Sequence, residues 1–123
     1  MLEFLLQTAL GTRVEARLFR DRDELHAPHL VDVEVLQALR RLVRLGEVSP
    51  SRADEVIADL SDLDLHRHAH LDLLARAWKL RDNVSACDAI YIALAEPLEA
   101  VLVTCDGPLA KVPGKRIRIE LIA

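Results

Sequence analysis

The apolar positions of this chain recur mostly at helical spacing, broken by a few short stretches that alternate or run continuously. Leu2 to Leu10 is apolar apart from interruptions such as Glu3 and Gln7 and reads as helix. Gly11-Thr12 is expected to break it, with Thr12 capping a second helix to about Arg22. Glu24 to Pro28 reads as extended and is stopped by the proline. Val31 to Val35 alternates like a strand, but Leu36 to Leu45 has helical spacing and Gly46 suits a helix end, so 29–45 is assigned to helix. Ser49-Pro50 starts another helix, with Ser49 as cap and Val56, Ile57 and Leu60 inward. Leu63 to His66 is a candidate strand. His70 to about Arg81 is a helix with Leu71, Leu74, Ala75 and Trp78 at core spacing. Ser85 caps a nearly all-apolar helix from Ala86 to Ala95, which Pro97 is expected to end. Glu99 to Thr104 is an apolar run, the pattern of a strand covered on both faces. Arg116 to Ile122 alternates, the pattern of a partly exposed edge strand. Helices interleaved with short strands predict an α/β domain with a mainly parallel sheet.

Composition narrows this little further. A chain of 123 residues predicts a single domain, 1–123. Its hydrophobic content of 51% is enough for a packed core. The formal net charge of -4 excludes a polycation, so a nucleic-acid ligand needs a local basic face or a bridging metal. Cys87 and Cys105 have no zinc-type spacing and read as reduced thiols of a cytoplasmic protein. Leu2 to Leu10 is too short for a membrane span and has no basic residues before it, so no membrane partner is expected.

Asp88 is the most informative single residue. It sits one turn into a helix otherwise made of Ala86, Ala89, Ile90, Tyr91, Ile92, Ala93 and Leu94. A carboxylate in such company is costly unless paired. An arginine partner, a first-turn capping role and a metal ion are all open. Asp106 follows the buried strand at its carboxyl end, where open α/β sheets bind ligands. Asp106-Gly107-Pro108 is also good turn chemistry by itself. Glu34 lies among Val31, Val33, Val35 and Leu36, and spacing does not choose between it and Asp32 as the buried acid. Carboxylates without a histidine or cysteine cluster suit a hard cation, Mg²⁺ or Mn²⁺. His66, His68 and His70 read as a solvated turn. The groups Arg40, Arg41, Arg44 and Arg76, Lys79, Arg81 are basic strips that read as exposed helix faces or phosphate contacts. Trp78 and Tyr91 read as core.

Three segments, in order, resemble the PIN-domain toxins of the VapC type. Ala27 to Val35 resembles the segment that places an acid on the family's third helix. Ser85 to Glu96 (Ser-Ala-Cys-Asp-Ala-Ile-Tyr-Ile-Ala-Leu-Ala-Glu) resembles its Asp, aromatic and Ala-Leu-Ala motif. Leu102 to Leu109 resembles its strand, Thr-x-Asp turn and following leucine. The resemblance implies a three-layer α/β/α fold and an acidic cluster of Glu34, Asp88 and Asp106, with Thr104 supporting. It also implies a metal-dependent endoribonuclease that hydrolyses RNA, a small antitoxin partner and a homodimer. The family's opening strand, ending in Asp-x-Ser, has no counterpart in the sequence as it stands, which opens inside a helical pattern. Two expectations follow: a start further upstream, or a shortened form that keeps only antitoxin binding or dimerisation. An unrelated α/β regulatory domain with structural acids is a third reading.

Overall fold

The computed structural model describes residues 9–19, 24–104, 107–111 and 117–122. The chain divides into two compact units, Met1–His66 and Arg67–Ala123.

In the first unit, α1 spans Ala9–Phe19 and runs straight through Gly11-Thr12. The expected break is not there. A single interior glycine costs a helix only about 1 kcal/mol against alanine, which neighbouring contacts can offset. The apolar stretch before Ala9 lies outside the described residues. A short strand, β1 (His26–Pro28), leads into α2 (Leu30–Arg44). The whole alternating-then-helical stretch is therefore helix. Val31, Val35 and Leu39 recur every fourth residue and are buried. Beyond Leu45, Gly46 adopts φ +75° and its N–H donates to the Val43 carbonyl at 3.1 Å. That left-handed turn is the stop a glycine supplies at little steric cost.

Helix α3 (Pro50–Asp62) begins as its sequence predicts. Ser49 is extended and its Oγ accepts the Arg52 N–H at 3.1 Å. Ala53, Val56 and Leu60 pack against Val35 and Leu39 of α2, with Val43 and Val48 at the edge of the cluster. Ile57, expected inward, is 39% exposed. The expected strand at Leu63 to His66 is displaced: β2 is His66–His68, and only His66 is common to both. His66 closes the first unit, its N–H donating to the Leu25 carbonyl at 2.9 Å. Its ring stacks on His26 with centroids 4.9 Å apart.

In the second unit, a 3₁₀ turn (Leu71–Leu73) leads into a short helix, α4 (Leu74–Lys79). The apolar phase is opposite to expectation. Ala77 and Leu80 are buried, whereas Leu71, Leu74 and Trp78 are 74%, 49% and 67% exposed. Helix α5 (Ala86–Leu98) buries Ala89, Ile90, Ile92, Ala93, Leu94 and Ala95. It contains Pro97 instead of ending before it, and closes one residue past Leu98 on Glu99, which is left-handed at φ 50°. Strand β3 (Leu102–Thr104), α6 (Gly107–Ala110) and β4 (Ile119–Leu121) complete the unit. β3 and β4 are parallel, pairing Leu102 with Ile119, Val103 with Glu120 and Thr104 with Leu121. The parallel sheet and α/β class match the sequence expectation. β3 is half-buried, however, not covered on both faces.

Candidate active site

Ser85 determines how Asp88 is presented. It is extended and its Oγ accepts the Asp88 N–H at 3.3 Å, so the helix starts at Ala86 and Asp88 falls in its first turn. An anion there faces the positive end of the helix dipole. The next residues, Ala89 and Ile90, are buried, and Asp88 itself is half-buried. Its carboxylate has no hydrogen bond and no ion pair among the described residues. This bears on the choice left open by the sequence. Among the described residues no arginine neutralises Asp88, and the group engaged at this helix start is its backbone N–H, capped by Ser85.

Two helical turns further along α5, Glu96 engages an arginine. Arg76 donates through Nε to both carboxylate oxygens of Glu96, at 3.1 and 2.9 Å. Both side chains are largely buried, with 22% and 13% of their area exposed. Glu96 raises the Arg76 guanidinium above the usual arginine range, against the opposing effect of burial. Arg76 is therefore no part of a basic strip with Lys79 and Arg81. An open cleft of about 460 Å³ lies beside the pair, lined by Asp72, Leu73, Arg76, Ala93, Glu96 and Pro97. Its carboxylate–guanidinium pair is mutually satisfied, which makes it a structural clamp between α4 and α5.

Glu34 lies in the second turn of α2 and is half-buried, and so is Asp32. Burial class does not separate them, although Asp32 carries an enclosed Oδ1 atom. Glu34 belongs to the first unit and Asp88 to the second. Thr104 ends β3, against which α5 packs, and its carbonyl accepts the Ile122 N–H at 2.8 Å. Asp106, two residues on, lies outside the described residues, as does Cys105. Cys87 is an exposed free thiol. Among the described residues no group of three histidine, cysteine, aspartate or glutamate side chains is gathered as a metal site. The donor types at the candidate positions, carboxylates and a hydroxyl, are those a hard divalent cation takes. The Arg76–Glu96 pair was missed in the sequence. Its one signal was a glutamate late in a mostly apolar helix.

Comparison with known proteins adds an independent line. The family model described as PIN domain matches residues 3–115. Ribonuclease VapC1 of Mycobacterium tuberculosis is 42% identical over 98 residues, 79% of this chain and 74% of that protein. Ribonuclease VapC12 of the same organism is 36% identical over 121 residues, covering 98% and 92% of the two chains. Ribonuclease VapC3 is 38% identical over 112 residues, covering 90% and 80%.

Proposed function

The chain belongs to the PIN-domain family, in its VapC group, and on that premise we propose that it is an endoribonuclease, the toxin of a toxin–antitoxin pair. The observation that carries this reading is Asp88: a half-buried carboxylate at a capped helix start, with no cationic partner among the described residues. An arrangement that leaves such an acid unneutralised suits a site completed by a cation. The ribonuclease names of the relatives, which align with most of the chain, support the same conclusion.

In this reading Glu34, Asp88 and Asp106 would hold one or two Mg²⁺ or Mn²⁺ ions, with Thr104 in a supporting position near them. Bound metal would supply an activated water and charge stabilisation at the phosphate under attack. The protein's own part is to hold the carboxylates ionised and in place. Asp88 is held by the Ser85 cap and by the buried face of α5. The chain would act as one PIN domain, since the family match spans both compact units. Its expected partners are RNA, a small antitoxin and a second copy of itself, in the cytoplasm. Among the described residues no helix is long and apolar enough to cross a membrane.

The test is cleavage of a structured RNA with Mg²⁺ or Mn²⁺, with chelator, and with Asp88→Asn. Activity should vanish with chelator and fall at least about 100-fold in the variant, which keeps shape and size but loses the charge. Cleavage that survives both treatments would overturn the metal mechanism.

A further inference from the structure

Two arginines of this protein hold carboxylates: Arg52 on α3 donates to Glu55 at 2.7 Å, and Arg76 is clamped by Glu96. Three arginines on α2 do not. Arg40, Arg41 and Arg44 are all exposed, and none of their side chains has a hydrogen bond or ion pair among the described residues. The stretch from Val35 to Gly46 holds these three and no aspartate or glutamate, in a chain with 20 acidic and 16 basic residues. A protein of net negative charge thus carries a local strip of uncompensated positive charge. Such a strip attracts an anion that the molecule as a whole repels.

The core decides which way the strip faces. Val31, Val35 and Leu39 are buried, and Val35 and Leu39 pack on α3. At about 100° per residue, Glu34, Gln37, Arg41 and Arg44 share a sector about 80° wide, turned away from that packed side, with Arg40 flanking it. Glu34, the member nearest the core, is half-buried, and the others are exposed. A rise of about 1.5 Å per residue places Arg41 roughly 10 Å and Arg44 roughly 15 Å along the helix from Glu34. The helix dipole favours cations in the last turn, which accounts for the residue types Arg41 and Arg44. It does not account for Arg40 or for the alignment with Glu34. A stacked nucleic-acid strand has a phosphate about every 3.4 Å, so the two guanidinium groups fall about three and about four to five nucleotides from a phosphate at Glu34. The planar guanidinium fork matches phosphate oxygens. We propose that Arg41 and Arg44, with Arg40 beside them, are positioning residues that hold the phosphates of the RNA strand leaving the Glu34 site. On the ribonuclease reading above, on which this rests, the substrate runs along α2 toward Gly46. Phosphate contacts of this kind set where the strand lies and carry no base preference.

The test measures kcat and KM for RNA cleavage by the full chain between about 50 and about 200 mM salt. Arginine is changed to glutamine, a comparable helix former, and an unchanged urea midpoint confirms the fold of each variant. Arg41→Gln alone should flatten the slope of log KM against log salt by about 0.7, the value of one single-strand phosphate contact. The triple variant Arg40→Gln, Arg41→Gln, Arg44→Gln should flatten it by about 2, raise KM at least about 10-fold at the lower salt and leave kcat within about twofold. Lysine at the same three positions should keep KM within about threefold, because a point charge still attracts phosphate. Arg52→Gln, which removes one charge from the neighbouring helix, should move neither value. Trimming the RNA to fewer than about three nucleotides beyond the cut, on each side in turn, should raise KM for the starting chain on one side only, and not for the triple variant. An unchanged KM and slope in the triple variant, with cleavage intact, would overturn the assignment and leave the ribonuclease reading standing. An effect of Arg52→Gln equal to that of Arg41→Gln would reduce the strip to net charge and overturn it as well. A fall in kcat at constant KM would do the same, by placing the arginines in the chemistry. A starting chain that cleaves no RNA with Mg²⁺ or Mn²⁺ would remove both.

Discussion

At the scale of single residues, the helix starts at Ser49 and Ser85 and the helix finish at Glu99 carry opposite lessons. Ser49 and Ser85 are both caps recognisable from sequence, because an N-cap is a local interaction between a hydroxyl and an amide three residues on. Ser85→Ala should lower stability by about 1 kcal/mol in urea unfolding. It should also lower RNA cleavage more than Ser49→Ala does, because only Ser85 sets the turn that presents Asp88. Glu99 was not legible. Pro97 resembles a stop signal, yet its missing N–H removes only one hydrogen bond near the end of a helix that buries Ala89, Ile90, Ile92, Ala93, Leu94 and Ala95. The chain therefore continues to Leu98 and closes on a non-glycine residue in the left-handed region, with the Ala100 N–H donating to the Ala95 carbonyl at 3.0 Å. Glu99→Gly should raise the urea midpoint, by up to about 1 kcal/mol of stability, since glycine adopts that conformation at little steric cost.

At the scale of elements, α4 shows where periodicity runs out. Its segment has two apolar sides, one with Leu71, Leu74 and Trp78, the other with Ala77 and Leu80. Either could serve as core, and counting apolar residues favours the larger side chains. The structure buries the smaller side because Arg76 must reach Glu96, twenty residues away, in a largely enclosed pair. Removing one partner of such a pair strands the other charge, so Arg76→Ala should cost about 2 kcal/mol. Leu71→Ala should cost under about 0.5 kcal/mol in urea unfolding, far below the 2–5 kcal/mol, roughly, of a buried leucine. The upward shift of Arg76 has a defined sign: its contribution is complete below the ordinary arginine range and is lost only as pH rises through the raised value. Arg76 itself should therefore add no pH dependence to stability between neutral and mildly alkaline conditions. In the first unit, α2 and α3 were legible because each has one apolar side, Val31-Val35-Leu39 and Ala53-Val56-Leu60. Leu39 is 2% exposed, and Leu39→Ala should cost about 2–5 kcal/mol, read as a lower urea midpoint.

At the scale of the whole molecule, the chain forms two compact units while the family match spans both. If they act as one domain, tryptophan fluorescence, which reports Trp78 in the second unit, should change together with far-ultraviolet circular dichroism, which reports helices of both. Two separate transitions would show the units folding independently. By itself the sequence determined the α/β class, the helices α2, α3 and α5, the serine caps of α3 and α5, and the position of Asp88 in the first turn of a mostly apolar helix. These depend on interactions within a few residues or on a single unambiguous apolar side. Only the tertiary structure decided which side of α4 is buried, where β2 falls, and that Arg76 pairs with Glu96. Those outcomes depend on partners far apart in the chain, and a short segment with two apolar sides holds no local term large enough to choose between them.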